Sequence, residues 1–92
     1  ASDVYKRQVV LNQHTRICDA TIANIFFISN RIIHTPHLSE GCVEGVMRCF
    51  LIERFTKAGL NVVEGSYKVS DLQEADEIFL TNAFYGIRWV KR

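Results

Sequence analysis

The sequence predicts an α/β fold: a twisted mixed sheet with one long helix packed on it and one short helical turn. Three observations lead there. Runs of β-branched and aromatic residues recur along the chain, separated by turn-forming Asn, Ser, Gly and Pro. One segment, Val43 to Ala58, switches to an apolar period near 3.6 residues. Hydrophobic residues make up 48% of 92, enough for one core and too short a chain for two.

The elements follow in order. Val9-Val10-Leu11 is a short β-prone run, and Asn12 to Thr15 a polar turn. Arg16 to Asp19 leads into Ile22 to Ile28, the strongest strand signal of the first third. Ser29-Asn30 reads as a tight turn into a second strand, Arg31 to Thr35, giving a hairpin. Pro36 ends that strand because it has no N–H for the ladder. His37 to Cys42 is loop. In the long helix, Val43, Val46, Met47, Phe50, Leu51, Phe55 and Ala58 form the apolar stripe, with Glu44, Arg48, Arg54 and Lys57 mainly outside it. Lys57 followed by Gly59 marks its stop. Leu60 to Gly65 is a further strand. Ser70 with Gln73 three positions on has capping-box spacing for a short helical turn through Ala75. Glu77 to Thr81 is a buried strand, Asn82 to Gly86 a loop, and Ile87 to Val90 an alternating terminal strand. Residues 1–8 fit nothing after them, so the domain is expected over residues 9–92, clipped at both ends.

Composition narrows the function. Eleven basic against ten acidic residues leave +1, too little concentrated positive charge for a nucleic-acid or membrane-surface role. The longest apolar run, Ile25 to Ile28, is far short of a membrane span, and no apolar segment follows the N-terminus as in a signal peptide. Cys18, Cys42 and Cys49 are odd in number and lack paired spacing, as expected of reduced thiols in a cytoplasmic protein. With His14, His34 and His37 they form no zinc-site spacing, so no metal is expected.

Three segments could carry chemistry. Around Glu40 to Arg48, a glycine at the loop-to-helix transition lets backbone come close to a bound group, and the first helical N–H groups lack internal partners and with the dipole make a phosphate receptor. A plain packing turn accounts for the same pattern. Thr81-Asn82-Ala83 stands at a strand's C-terminal end, where ligands often sit, although an Asn bonded to its own backbone is the commoner reading. Asp19 is a carboxylate just ahead of an apolar strand. A cationic ligand atom would offset its burial, and so would a turn hydrogen bond or exposure.

Taken in order, these segments resemble a known family. Arg16-Ile17-Cys18-Asp19-Ala20-Thr21-Ile22-Ala23-Asn24-Ile25-Phe26 is similar to the stretch of the fold-type IV pyridoxal-phosphate enzymes, the class IV aminotransferase family, that carries the pyridine-nitrogen carboxylate. His34-Thr35-Pro36-His37-Leu38-Ser39 resembles its T-P-x-L loop, and Gly45-Val46-Met47-Arg48 its phosphate-binding helix start. Ala75 to Ala83 resembles its A-D-E-[VI]-F strand and the loop beyond. The resemblance covers roughly residues 9 to 90. Met47 and Asn82-Ala83 look more like the family's lyase branch than its branched-chain or D-amino-acid transaminases.

The resemblance implies a partial C-terminal cofactor-binding domain holding pyridoxal 5'-phosphate. Asp19 would pair with the pyridine nitrogen, the backbone N–H groups of Val46 and Met47 would hold phosphate, and Asn82 and Ala83 would close the phosphate side. Arg48 would be a charge partner, or project into solvent or a carboxylate. It further implies a small-molecule amino substrate, a homodimer and an N-terminal domain that supplies an arginine and the Schiff-base lysine. That lysine lies farther upstream than the 18 residues before Asp19, and Lys6 does not match, so no catalytic residue is assigned and the chain alone is expected to be inactive. The family usually has glutamate at the Asp19 position. A carboxylate about 1 Å short costs on the order of 100-fold unless the site adjusts or a water bridges. The competing class is a ligand-free α/β interaction module, and one observation separates the two: Asp19, the Val46 and Met47 amides and the Asn82 loop must line one concavity.

Overall fold

The computed structural model describes residues 9–20 and 23–91. Expectations for residues 1–8 and for Ile22 lie outside the described residues. Val9–Leu11 (β1) and Ile17–Ala20 (β2) form an antiparallel pair of their own. The remaining strands make a five-stranded sheet: Asn24–Ser29 (β3), Ile32–Pro36 (β4), Val62–Gly65 (β5), Glu77–Asn82 (β6) and Gly86–Lys91 (β7), in the order β5-β4-β3-β6-β7. All neighbours are antiparallel except β4 and β5, which the helix Val46–Lys57 (α1) joins as a parallel crossover. The sheet is therefore mixed, as expected. Among the described residues no helix is long and apolar enough to cross a membrane.

Alternation along β3 builds a core on each face. Phe26 points with Ile33 and Phe79 toward Leu51 of α1, where Met47, Ile52, Phe55 and Val62 complete the packing. Phe26 and Phe79, opposite each other in register, stack at 5.1 Å with Phe55 edge-on to both. Ile25 and Phe27 point the other way, onto Ile17, Ala20, Leu72, Ala75, Ile78 and Leu80. The β1–β2 pair and the short helix Val69–Gln73 (α2) thus cover the face opposite α1.

Four local expectations need correcting. The hairpin turn is Asn30-Arg31, not Ser29-Asn30: both central residues take positive φ, 53° and 65°, and Ser29 pairs with Ile32. That is the two-residue turn whose twist matches the strands, and Asn tolerates its first position. The helix α1 starts at Val46 rather than Val43, after Gly45 in an extended conformation. Its expected stripe also fails at Val43, Val46 and Phe50, which are exposed, while Arg48 is buried with Leu51. Arg48 occupies a core-facing position because its Nη2 donates to the Pro36 carbonyl at 3.1 Å and to Glu64 at 2.6 Å. Finally, α2 begins before Ser70. The Asp71 carboxylate accepts from the Lys68 N–H at 2.8 Å, a local bond that starts the turn earlier than the Ser70–Gln73 spacing suggested.

Candidate active site

The register of β3 against β6 sets the floor of a cavity. Asn24 stands opposite Thr81, so the first residue of one strand and the penultimate residue of the other meet at the same end of the sheet. Asp19 arrives from β2, Asn82 and Ala83 from the turn after β6, and Val43, Gly45, Val46 and Met47 from the entry to α1. Together with Ala20 and Ala23 they enclose about 270 Å³. All five residues singled out from the sequence (Asp19, Val46, Met47, Asn82 and Ala83) line this one concavity. The separating observation therefore goes against the ligand-free module.

Asp19 is half-buried and held by both oxygens. Its Oδ1 accepts from the Asn24 side-chain amide at 2.8 Å and its Oδ2 from the Val43 N–H at 2.8 Å. Burial pushes its carboxyl above the ordinary value, against the opposing pull of Val43, Asn24 and the Arg48 charge. Among the described residues lining the cavity it is the sole ionisable side chain. Arg48 itself is turned to Pro36 and Glu64, which resolves the three roles open to it in favour of a carboxylate.

Another part of the wall is made of backbone. Gly45 caps α1 without a side-chain hydrogen bond, and the first helical bond runs from the Cys49 N–H to the Gly45 carbonyl. The amides of Val46 and Met47 precede that bond and belong to the unpaired first turn. Gly45 is required by close approach: a Cβ there would run into Asn24 Oδ1. Thr81, also lining the cavity, is fully buried, and among the described residues its hydroxyl has no partner. Asn82 spends its side-chain oxygen on the N–H groups of Phe84 at 2.9 Å and Tyr85 at 3.0 Å, the local turn bonding that sequence alone favoured. That bonding shapes the loop and leaves Ala83 at the cavity wall.

Sequence reasoning passed over Asn24 and let Thr81 go. The available signal was a lone amide residue opening an otherwise apolar run, since a buried amide must find partners.

Residues 2–92 match the family model described as Amino-transferase class IV. The chain belongs to that family. The aminodeoxychorismate lyase of Bacillus subtilis (strain 168) is 35% identical over 79 residues, which cover 86% of this chain and 27% of that protein. The crystal structure of 4-amino-4-deoxychorismate lyase from Pseudomonas aeruginosa superposes with a TM-score of 0.83 at 31% identity, over 89% of this chain and 30% of that one. An aminotransferase from Brucella abortus, solved bound to the cofactor PLP, gives 0.86 at 26% identity over 89% of this chain and 29% of that one. The class IV chain thus spans under a third of each of these relatives. Lyases and aminotransferases share its fold, and what distinguishes them must be sought in the site.

Proposed function

We propose that the chain is the cofactor-holding part of a pyridoxal-phosphate lyase that releases pyruvate and 4-aminobenzoate from 4-amino-4-deoxychorismate. The observation that carries this reading is one cavity lined both by a carboxylate and by the first-turn amides of a helix. Its polar set suits the cofactor: a carboxylate for a protonated ring nitrogen, first-turn N–H groups for a phosphate, and a Thr81 hydroxyl that has no partner among the described residues. Identity to two aminodeoxychorismate lyases supports the substrate.

When bound, pyridoxal phosphate supplies an electron sink for a substrate carbanion. The residues of this chain hold and tune it. Asp19 keeps a proton on the ring nitrogen, because a carboxylate fixed by two donors stays placed to accept from it. The Val46 and Met47 amides bind phosphate oxygens along the helix dipole, and Asn82 and Ala83 wall that side. Among the described residues no lysine lines the cavity. The Schiff-base lysine and a phosphate-binding arginine come from an N-terminal domain of the full-length protein, a cytoplasmic homodimer, and these 92 residues alone turn over no substrate.

The test is the full-length protein. It should carry the visible absorbance of bound pyridoxal phosphate and convert 4-amino-4-deoxychorismate to 4-aminobenzoate and pyruvate. Amino exchange with a branched-chain or D-amino acid instead would assign a transaminase. Absence of the bound-cofactor band would overturn the reading.

A further inference from the structure

Asn24 is 6% exposed, and both hydrogens of its side-chain amide are spent in the site. One goes to Asp19 Oδ1 at 2.8 Å, the other to the Val43 carbonyl at 2.7 Å. Val43 returns its own N–H to Asp19 Oδ2 at 2.8 Å. Three groups from β2, β3 and the α1 entry therefore close a ring of hydrogen bonds. Asn24 also packs against Gly45, where any Cβ would displace it. The carboxylate end of the cavity and the helix that offers its amides are thus fastened to one side chain.

We propose that Asn24 is a positioning residue that fixes the Asp19 carboxylate relative to the start of α1, and so sets the span between the two ends of the cofactor site. Asn24 acts through Asp19 and Val43. This rests on the pyridoxal-phosphate reading for its purpose, but the linkage itself concerns residues of this chain alone. An aspartate at position 24 could not replace it, since an ionised carboxylate has no hydrogen to donate. The titratable and charged groups whose fields couple with Asp19 are the Arg48 guanidinium from α1, the Cys18 thiol on its own strand and the Cys42 thiol before the helix. Val10, opposite it on β1, adds no charge.

The linkage is tested in the full-length protein freed of cofactor, by following the Asp19 carboxyl with carbon-labelled aspartate in nuclear magnetic resonance. Asn24→Ala removes a donor to the charged form, so the proton affinity of Asp19 should rise about tenfold. An unchanged Asp19 titration in a folded Asn24→Ala protein overturns the proposal. The unmodified protein provides a second measurement that needs no variant: the Asn24 side-chain amide resonances should shift with the Asp19 midpoint. A flat response there also overturns it, even if Asn24→Ala does not fold. Reloading with pyridoxal phosphate separates the two readings. If the parent protein never binds cofactor, the function fails while the titrations still decide the linkage. If the parent binds and Asn24→Ala retains cofactor with an unshifted Asp19, the linkage fails and the function stands.

Discussion

Replacing Gly45 with alanine adds one methyl group at the tightest point of the site, and the outcome can be worked from the contacts. Gly45 has φ −70° and ψ 146°, a conformation any residue adopts, so the backbone opposes nothing. The added Cβ instead collides with Asn24 Oδ1 and comes within 3.5 Å of Asn24 Cγ. Asn24 must swing away, losing its bond to the Asp19 carboxylate and its bond to the Val43 carbonyl. A hydrogen bond to a charged group contributes about 1.5–3 kcal/mol and a neutral one about 0.5–1.5 kcal/mol. Reduced freedom of the unfolded chain returns about 0.4–1 kcal/mol to alanine. The net expectation is a destabilisation of about 1–4 kcal/mol, read as a lower urea midpoint with an unchanged slope. With Asn24→Ala already in place the collision is gone, so Gly45→Ala should then cost under about 0.5 kcal/mol or stabilise slightly. Additive costs in the double variant, or a Gly45→Ala protein as stable as its parent, would refute the account.

Two further perturbations test the frame around the site. Arg48→Met should cost about 2–3 kcal/mol in urea unfolding, because the Pro36 carbonyl and Glu64 both lose their donor. The Glu64 side chain is 37% exposed and can be rehydrated, which keeps the loss below that of a fully buried pair. A change under about 0.5 kcal/mol would show that the guanidinium is merely tolerated. In acid, Glu40 should dominate one window. Its hydrogen bond with the Arg16 guanidinium, foremost, and one from Ser66 hold its carboxyl down at about 2, so its contribution is complete above the unfolded value and lost as pH falls to about 2. Glu40→Gln should flatten the stability profile between about pH 4.5 and 2. A profile parallel to the parent's would exclude the pair. Asp19, shifted upward, acts with the opposite sign, stabilising the folded state as it takes up its proton.

What was legible in the sequence was whatever a short stretch decides for itself. The β-branched and aromatic run through Ile25, Phe26 and Phe27 had to be a strand because each face of it buries against a different layer. The stop of α1 was legible in Gly59, which takes φ 83°. The ordered motifs brought Asp19, Val46, Met47, Asn82 and Ala83 to notice, and they line one cavity. Mistakes arose where a distant partner overrides a local pattern. A periodicity count places Arg48 outside the stripe since charge belongs in water, and only Glu64 and the Pro36 carbonyl, brought by other strands, make its burial affordable. The same count puts Val46 in the core, although at the cavity wall it remains exposed.

Asn24 shows why that blindness falls hardest on a site. Its partners lie five residues back, in Asp19, and nineteen ahead, in Val43, and no spacing rule joins them. A carboxylate and a helix start can each be suspected from residue type, because each has an intrinsic chemical property: charge in one, unpaired amides in the other. Their separation has no such signature. It is a tertiary quantity, set by the β3–β6 register that puts Asn24 across from Thr81 and by a glycine that leaves room for an amide beside it. Binding a molecule with a cationic nitrogen at one end and an anion at the other depends on that separation more than on either group alone, since an error of about 1 Å costs on the order of 100-fold. A residue that fixes that separation therefore bears on the fit of such a molecule without touching it.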